Sequence, residues 1–390
     1  RLRLTPLSPS DPPDLGVTAR IAEGVADLDA AQWDACAGTG NPFVCYAFLA
    51  ALEHSGSVRP GTGWQAAPIL IDAPDGRLAG ALPAYLKSHS QGEYVFDHGW
   101  AEAWQRAGGQ YYPKLQIAAP FTPVPGPRIL AQDRQIARQL IAAAETLTAQ
   151  NDLSSAHATF VAKDQVEIFQ SADWLIREGI QYHWFNDQYR DFEDFLAALS
   201  SRKRKAIRKE RAAAQDGLTF RAVRGAEITE AHWDAFWHFY QDTGARKWGR
   251  PYLTRRFFSE IGATMGDQVL LFLAEREGAP IAGALNFIGS DALYGRYWGC
   301  TEDVPFLHFE LCYYRAIEAA IALGLPRVEA GAQGEHKLAR GYVATPTYSA
   351  HFIPHPGFRA AVADFLARES RAIARDMDYL GELTPFRKTD

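Results

Sequence analysis

Cysteine is scarce: four residues in 390, at Cys36, Cys45, Cys300 and Cys312. None forms a CxxC pair, and no histidine spacing matches a zinc site, so no metal is expected. Four scattered thiols argue against a disulfide framework and suit a reducing, cytoplasmic setting. They read as small core residues. Long apolar runs are also missing. No stretch of eighteen apolar residues exists, so no integral membrane span is expected. Residues 1–28 contain no apolar h-region, and Arg1 to Gly16 is rich in Pro, Ser and Asp. It reads as an extended lead-in rather than a secretory signal. The chain opens without Met, which points to residues upstream. Positive charge is not in excess: the net charge is -6. That excludes a molecule basic all over, leaves no expectation of DNA binding, and makes any basic surface local. There is no GxSxG elbow, no HExxH and no GxxxxGK[ST], so the common nucleophilic, zinc-protease and P-loop chemistries are absent.

What is present is ordinary for a globular protein: 47% hydrophobic and 22% charged residues. The length suits two or three domains with real cores. Residues 29–56 carry two helical patterns, followed by a strand hairpin at 64–71 and 78–87 around Pro74-Asp75-Gly76. Further strands are expected at 115–119, 157–161 and 180–185, with a clear helix at 136–147. The second half reads strand 218–223, helices 230–245 and 253–261, then a hairpin at 268–275 and 281–287. A strand at 293–298 and a helix at 307–323 follow, the helix ended by Gly324 and Pro326. A short strand, a polar turn, a strand at 347–353 and a long charged helix at 357–380 close the chain. Both halves thus read helix, helix, hairpin, strand, helix, strand. The expectation is an α+β fold of two similar domains, 29–190 and 191–390, each a mixed, mostly antiparallel sheet flanked by helices.

Three stretches carry chemistry. The first is Glu329-Ala-Gly-Ala-Gln-Gly-Glu-His-Lys-Leu-Ala-Arg-Gly-Tyr342, a glycine-rich turn after a short apolar strand. Loops at strand ends are where a rigid scaffold presents reactive groups. Glu335 and His336 are the leading acid–base candidates, with Glu329 next. Lys337 and Arg340 could hold a carboxylate or phosphate, and Gln333 could donate to an oxyanion. Tyr297 and Tyr294 could protonate a leaving group. Each residue also has a bland reading as an ion-pair or core member. The second stretch is Arg202-Lys-Arg-Lys-Ala-Ile-Arg-Lys-Glu-Arg211. On a helix, Arg204, Lys205, Arg208 and Arg211 share a face, a surface for phosphate or RNA if not merely solvated. The third is the aromatic connection 88–113, holding Trp100 and Trp104. It reads equally as an amphipathic helix on the sheet and as a groove for a bulky acceptor.

The order of elements resembles the GNAT acyltransferase superfamily, and two copies resemble the FemABX-type peptidyl transferases. Gly295-Arg-Tyr-Trp-Gly-Cys300, His308-Phe-Glu310 and Gly331-Ala-Gln-Gly-Glu-His-Lys337 resemble segments of the FemAB-like family of bacterial peptidoglycan biosynthesis or recognition proteins. The resemblance implies an N-acyltransferase that forms an amide, on a cell-wall precursor, with aminoacyl-tRNA as donor. It places Trp298, His308 and Glu310 beside the substrate. One feature departs from the superfamily. An acyl-CoA-using GNAT carries a glycine-rich loop whose N–H groups cradle pyrophosphate. Here that loop is Gly299-Cys-Thr-Glu-Asp-Val-Pro-Phe-Leu-His308, with one glycine and two carboxylates. The matching loop of the first half holds Pro120, Pro123, Pro125 and Pro127, which lack N–H groups. An acyl-CoA-dependent N-acetyltransferase is therefore the second reading, and a non-catalytic ligand-binding protein the third.

Overall fold

The computed structural model describes residues 18–247, 251–331 and 334–387. It divides into two units, Arg1–Gly179 with Thr347–Ile373, and Ile180–Pro346 with Ala374–Asp390. The units are not the consecutive halves expected at residue 190. Strand Val343–Phe352 ends in the first unit, where Tyr348 faces Val161 and Phe352 faces Ala156 across an antiparallel ladder. The end of Leu175–Phe185 pairs instead with Arg327–Glu329 of the second unit. Element order cannot reveal such an exchange, because sequential strands are not always neighbours.

In the first unit the expected hairpin is broken twice. Trp64–Ala66 pairs with Ala84–Lys87, whereas Ile69–Asp72 pairs with Leu78–Leu82 in a separate three-stranded sheet. Pro68 and Pro83 stand at the two breaks, where each removes a ladder donor. The third strand of the small sheet is Thr18–Ile21, so the expected lead-in is structured from residue 18 onward. Lys114–Ile117 runs parallel to Ala156–Val161, and helix Arg134–Gln150 connects them. Asp133 caps that helix by accepting from the Gln135 and Ile136 N–H groups. Its Ile136, Leu140, Ile141 and Leu147 share a core with Leu82, Leu115, Ile117 and Ala158.

The second unit repeats the device. Ala292–Cys300 runs parallel to Arg327–Glu329, with a helical crossover through residues 307–322. Thr219–Arg224, Val269–Arg276, Ala279–Ile288 and Ala292–Cys300 form successive antiparallel pairs. The crossover is not a uniform α-helix. Residues Glu310–Tyr314 form a π-turn between α-helical ends, a distortion frequent at functional sites. Helix Glu230–Lys247 comes so close to the sheet that a Cβ on Gly299 would sit 2.2 Å from the Phe239 carbonyl oxygen. Backbone cannot yield as a side chain can. Gly299→Ala should therefore cost about 1–3 kcal/mol, as overpacked cores do, read as a lowered thermal midpoint. Among the described residues no helix is long and apolar enough to cross a membrane.

Candidate functional site

The site grows from the parallel pair of the second unit. Its register ends at Tyr294 opposite Glu329. Beyond that point Gly295 to Cys300 stays with its antiparallel neighbour, and Ala330 and Gly331 have no partner in the parallel register. A cavity of about 100 Å³ is lined by Asn286, Trp298, His308, Cys312, Tyr313 and Gly331, among others. A bulge shapes one wall: Leu285 faces Tyr297, but Asn286 faces Gly295, leaving Arg296 as the extra residue. Bulges re-aim side chains in this way. The π-turn supplies the opposite wall with Cys312 and Tyr313.

Lys337 is a buried and perturbed cation of the site. Its side chain is buried, 1% exposed, on the short helix Glu335–Arg340. Nζ donates to the Gly331 carbonyl at 2.9 Å. An ammonium has three N–H groups, and no second hydrogen-bond acceptor is found for it among the described residues. Burial pulls its pKa down to about 8, against a small opposing influence of Cys312. Beside it, the Tyr313 hydroxyl and His336 Nε2 share a 2.9 Å hydrogen bond. Burial drives the Tyr313 hydroxyl upward, so it stays protonated. Burial, Arg340 and Lys337 push the His336 imidazolium down, so it is neutral at pH 7. Tyr313 lines the cavity and His336 reaches solvent. The pair connects the two.

Glu329 is buried at the strand end, and burial raises its pKa to about 7 against the pull of Arg327. Arg327 Nε donates to its Oε1 at 2.9 Å. Its Oε2 has no hydrogen-bond partner among the described residues, and His183 Nε2 lies 3.9 Å away. His183 is itself held neutral, with a pKa of about 3, by burial and then by Arg327 and Lys337.

The sequence candidates fare unequally. Lys337, Trp298, His308 and Tyr297 gather at or beside the cavity. Glu335 is exposed. Gln333 lies outside the described residues. Arg340 is committed to protein partners: Glu210 through two contacts of 2.9 and 3.0 Å, Tyr314 Oη at 3.0 Å and the His336 carbonyl at 2.7 Å. Glu310 is fully buried and accepts two 2.9 Å bonds from Arg211 and one from Gln215. Arg211 also bonds Glu318, and Arg208 pairs with Glu193. Arg204 is half-buried, and Lys205 is exposed with Arg202 and Lys209. Trp100 belongs to the first unit, where it sits on helix His98–Arg106, T-shaped against His351 at 4.9 Å.

Sequence reasoning misses two groups. Helical periodicity puts Tyr313 and Cys312 on a buried face, and they also line the cavity from the π-turn. The other is a buried charge network in the first unit. There Lys114 Nζ donates to Ser90 Oγ at 2.9 Å, Glu93 Oε2 at 2.7 Å and Asp97. Tyr111 Oη donates to Asp97 Oδ2 at 2.6 Å, and His157 and His351 share an Nδ1–Nδ1 contact of 2.7 Å. The available signal is Lys87, Lys114 and His157 inside runs that otherwise read as strand.

Comparison with known proteins bears on this arrangement. No curated protein matches the chain in sequence. Among solved structures, FemX superposes with a TM-score of 0.54 at 12% identity, covering 85% of this chain and 98% of FemX. L-PGS from Bacillus licheniformis gives 0.50 at 10% identity, over 85% of this chain and 98% of that one. A Bacteroides thetaiotaomicron protein of unknown function gives 0.51 at 10% identity, over 86% and 99%. At 10–12% identity these likenesses speak to the fold alone, and they bear out the expected α+β fold. The model of one family matches residues 24–388. With nearly its whole length in that match, the chain belongs to the FemAB-like family, described as peptidoglycan biosynthesis/recognition.

Proposed function

We propose that this protein is an N-acyltransferase that forms an amide by moving an aminoacyl group from an ester donor to an amine. The observation that carries it is Lys337: a buried ammonium beside the cavity with N–H groups left for a ligand. In the reaction the acceptor nitrogen attacks the ester carbonyl carbon, and a C–N bond forms. Lys337 donates to the oxygen that becomes the oxyanion. The carbon–oxygen bond to the donor hydroxyl then breaks. Tyr313 protonates that leaving oxygen and recovers a proton through His336, while the acceptor nitrogen gives its own proton to solvent. A free amine of pKa about 10.4 is only about 0.04% neutral at pH 7, so the acceptor's own titration raises the rate with pH.

The donor argument rests on the loop after Ala292–Cys300. It offers Pro305, two carboxylates and no glycine where a diphosphate would need N–H groups. Aminoacyl-tRNA suits this, with exposed Arg202, Lys205 and Lys209 on helix Ser201–Gln215 as phosphate contacts. A peptidoglycan precursor is the acceptor that the family description favours. The test is mass spectrometry of a peptidoglycan precursor incubated with protein and mixed aminoacyl-tRNA. A gain of one aminoacyl residue is expected. Tight acetyl-CoA binding in calorimetry, with acetyl transfer, would replace this reading by the CoA-dependent one. Absence of any transfer would favour the binding protein.

The pH profile derives from Lys337. Its charged form does the work, and burial has brought its pKa to about 8. The kcat/KM profile should therefore climb with the acceptor's neutral fraction up to about pH 8 and level off above it, where loss of the Lys337 charge cancels the amine's gain. In the residual activity of Lys337→Met the climb should continue past pH 8 toward the acceptor's own pKa of about 10.4.

A further inference from the structure

A second pocket, of about 380 Å³, adjoins the reaction cavity, with Trp298 and His308 lining both. Its walls are aromatic: Trp298, Phe306 and Phe309 line it, and Phe306 and Phe309 stand 6.2 Å apart. Its rim carries Glu302 and Asp303, and no lysine or arginine lines it among the described residues. Glu302 accepts from Arg276 Nε at 3.0 Å. Asp303 is exposed and has no side-chain partner among the described residues. The two rim carboxylates disfavour an anion here. Pro305 has no N–H, and the Leu307 N–H is taken by the Val304 carbonyl. Aromatic faces with a carboxylate beside them are instead the surroundings that hold an alkylammonium or guanidinium.

We propose that this pocket is a cation subsite, which takes a primary ammonium or guanidinium borne by the group being transferred. The role assigned to it in transfer rests on the acyltransfer reading above; the binding itself does not. Trp298 and His308, shared with the cavity, would put the positive group next to the carbonyl that Lys337 contacts. Amino acids with a cationic side chain are then the favoured acyl groups, and neutral isosteres the disfavoured ones.

The experiment is an NMR titration of the full chain with 1,5-diaminopentane, and with 1,5-pentanediol as the neutral probe of equal length. The diamine should saturate and weaken as salt is raised. Asp303→Asn should weaken it about three- to tenfold, and Trp298→Leu at least as much. Circular dichroism checks that each variant is folded. Equal binding of the diol, an unchanged affinity in folded Asp303→Asn, or displacement of the diamine by inorganic pyrophosphate would overturn the subsite. Diamine binding without any aminoacyl transfer would sink the acyltransfer reading and leave the subsite standing.

Discussion

Lys337→Met should cut kcat by about 10²–10³-fold, the usual loss when one oxyanion donor is removed. The same change should make the protein more stable, not less. Lys337 is buried, with a pKa of about 8 in the folded chain, against about 10.4 when unfolded. Below pH 8 the ammonium is charged in both states, and the folded state bears the desolvation cost. Between about 8 and 10.4 the unfolded chain holds the extra proton, so this group's penalty is relieved as pH rises. A shift of that size corresponds to about 3 kcal/mol at pH 7, from which roughly 1 kcal/mol for the lost Gly331 hydrogen bond is subtracted. Met has similar length and no charge, so the void is small. A net gain of about 2 kcal/mol with a collapsed rate is the pattern of a residue kept for chemistry at a cost in stability. Single-turnover kinetics and denaturant melts at pH 7 read both. A variant within threefold of the wild-type rate would remove Lys337 from the mechanism.

Much of this is legible in the chain, and the illegible parts share a cause. Helices 136–147, 307–323 and 357–380 announce themselves by 3.6-residue periodicity and appear as Arg134–Gln150, the crossover through Ala322, and Pro356–Glu382. Periodicity is local, and so is capping. Strand pairing is not, which is why the exchange of Val343–Phe352 is invisible in the sequence, whereas the breaks at Pro68 and Pro83 carry a local mark in the prolines themselves. The same holds for charges. Glu310, Arg211 and Arg340 look free for a substrate because their partners lie far off in sequence: Glu310 bonds Arg211, 99 residues away, and Arg340 bonds Glu210, 130 residues away. Buried ions must be paired, but the sequence does not say with which residue. Lys337 stands out because it sits in a glycine-rich turn at a strand end. Its burial has no local signature. Tyr313 is buried as its helical spacing predicts, and its place on the π-turn at the cavity wall is what that spacing does not reveal.

Lys114→Met should lower the stability of the first unit by about 3–5 kcal/mol, the cost of stranding buried charges. Lys114 is fully buried and holds Glu93 and Asp97, both on the aromatic connection that carries Trp100. Lys87 cannot replace it. Burial has lowered Lys87 to about 7, and its Nζ stands 3.8 Å from Glu93. With Lys114 gone, Lys87 regains charge, since Lys114 is among the groups that hold it down, but it stands 3.8 Å from Glu93 and leaves Asp97 without the contact that Lys114 made. The thermal midpoint should fall by about 10 °C for a unit of this size. The deficit has a pH signature. Although burial alone would raise it, Asp97 is held well below its ordinary pKa by Lys114. In the wild type its contribution is present above the unfolded value of about 3.9 and fades as pH drops further. In the variant Asp97 would protonate in the folded state at higher pH, and that loss would no longer occur. The gap between the two melting curves should therefore narrow below about pH 4. A pH-independent gap would mean that Lys114 acts by packing, and no gap would mean that the network is not what anchors the connection.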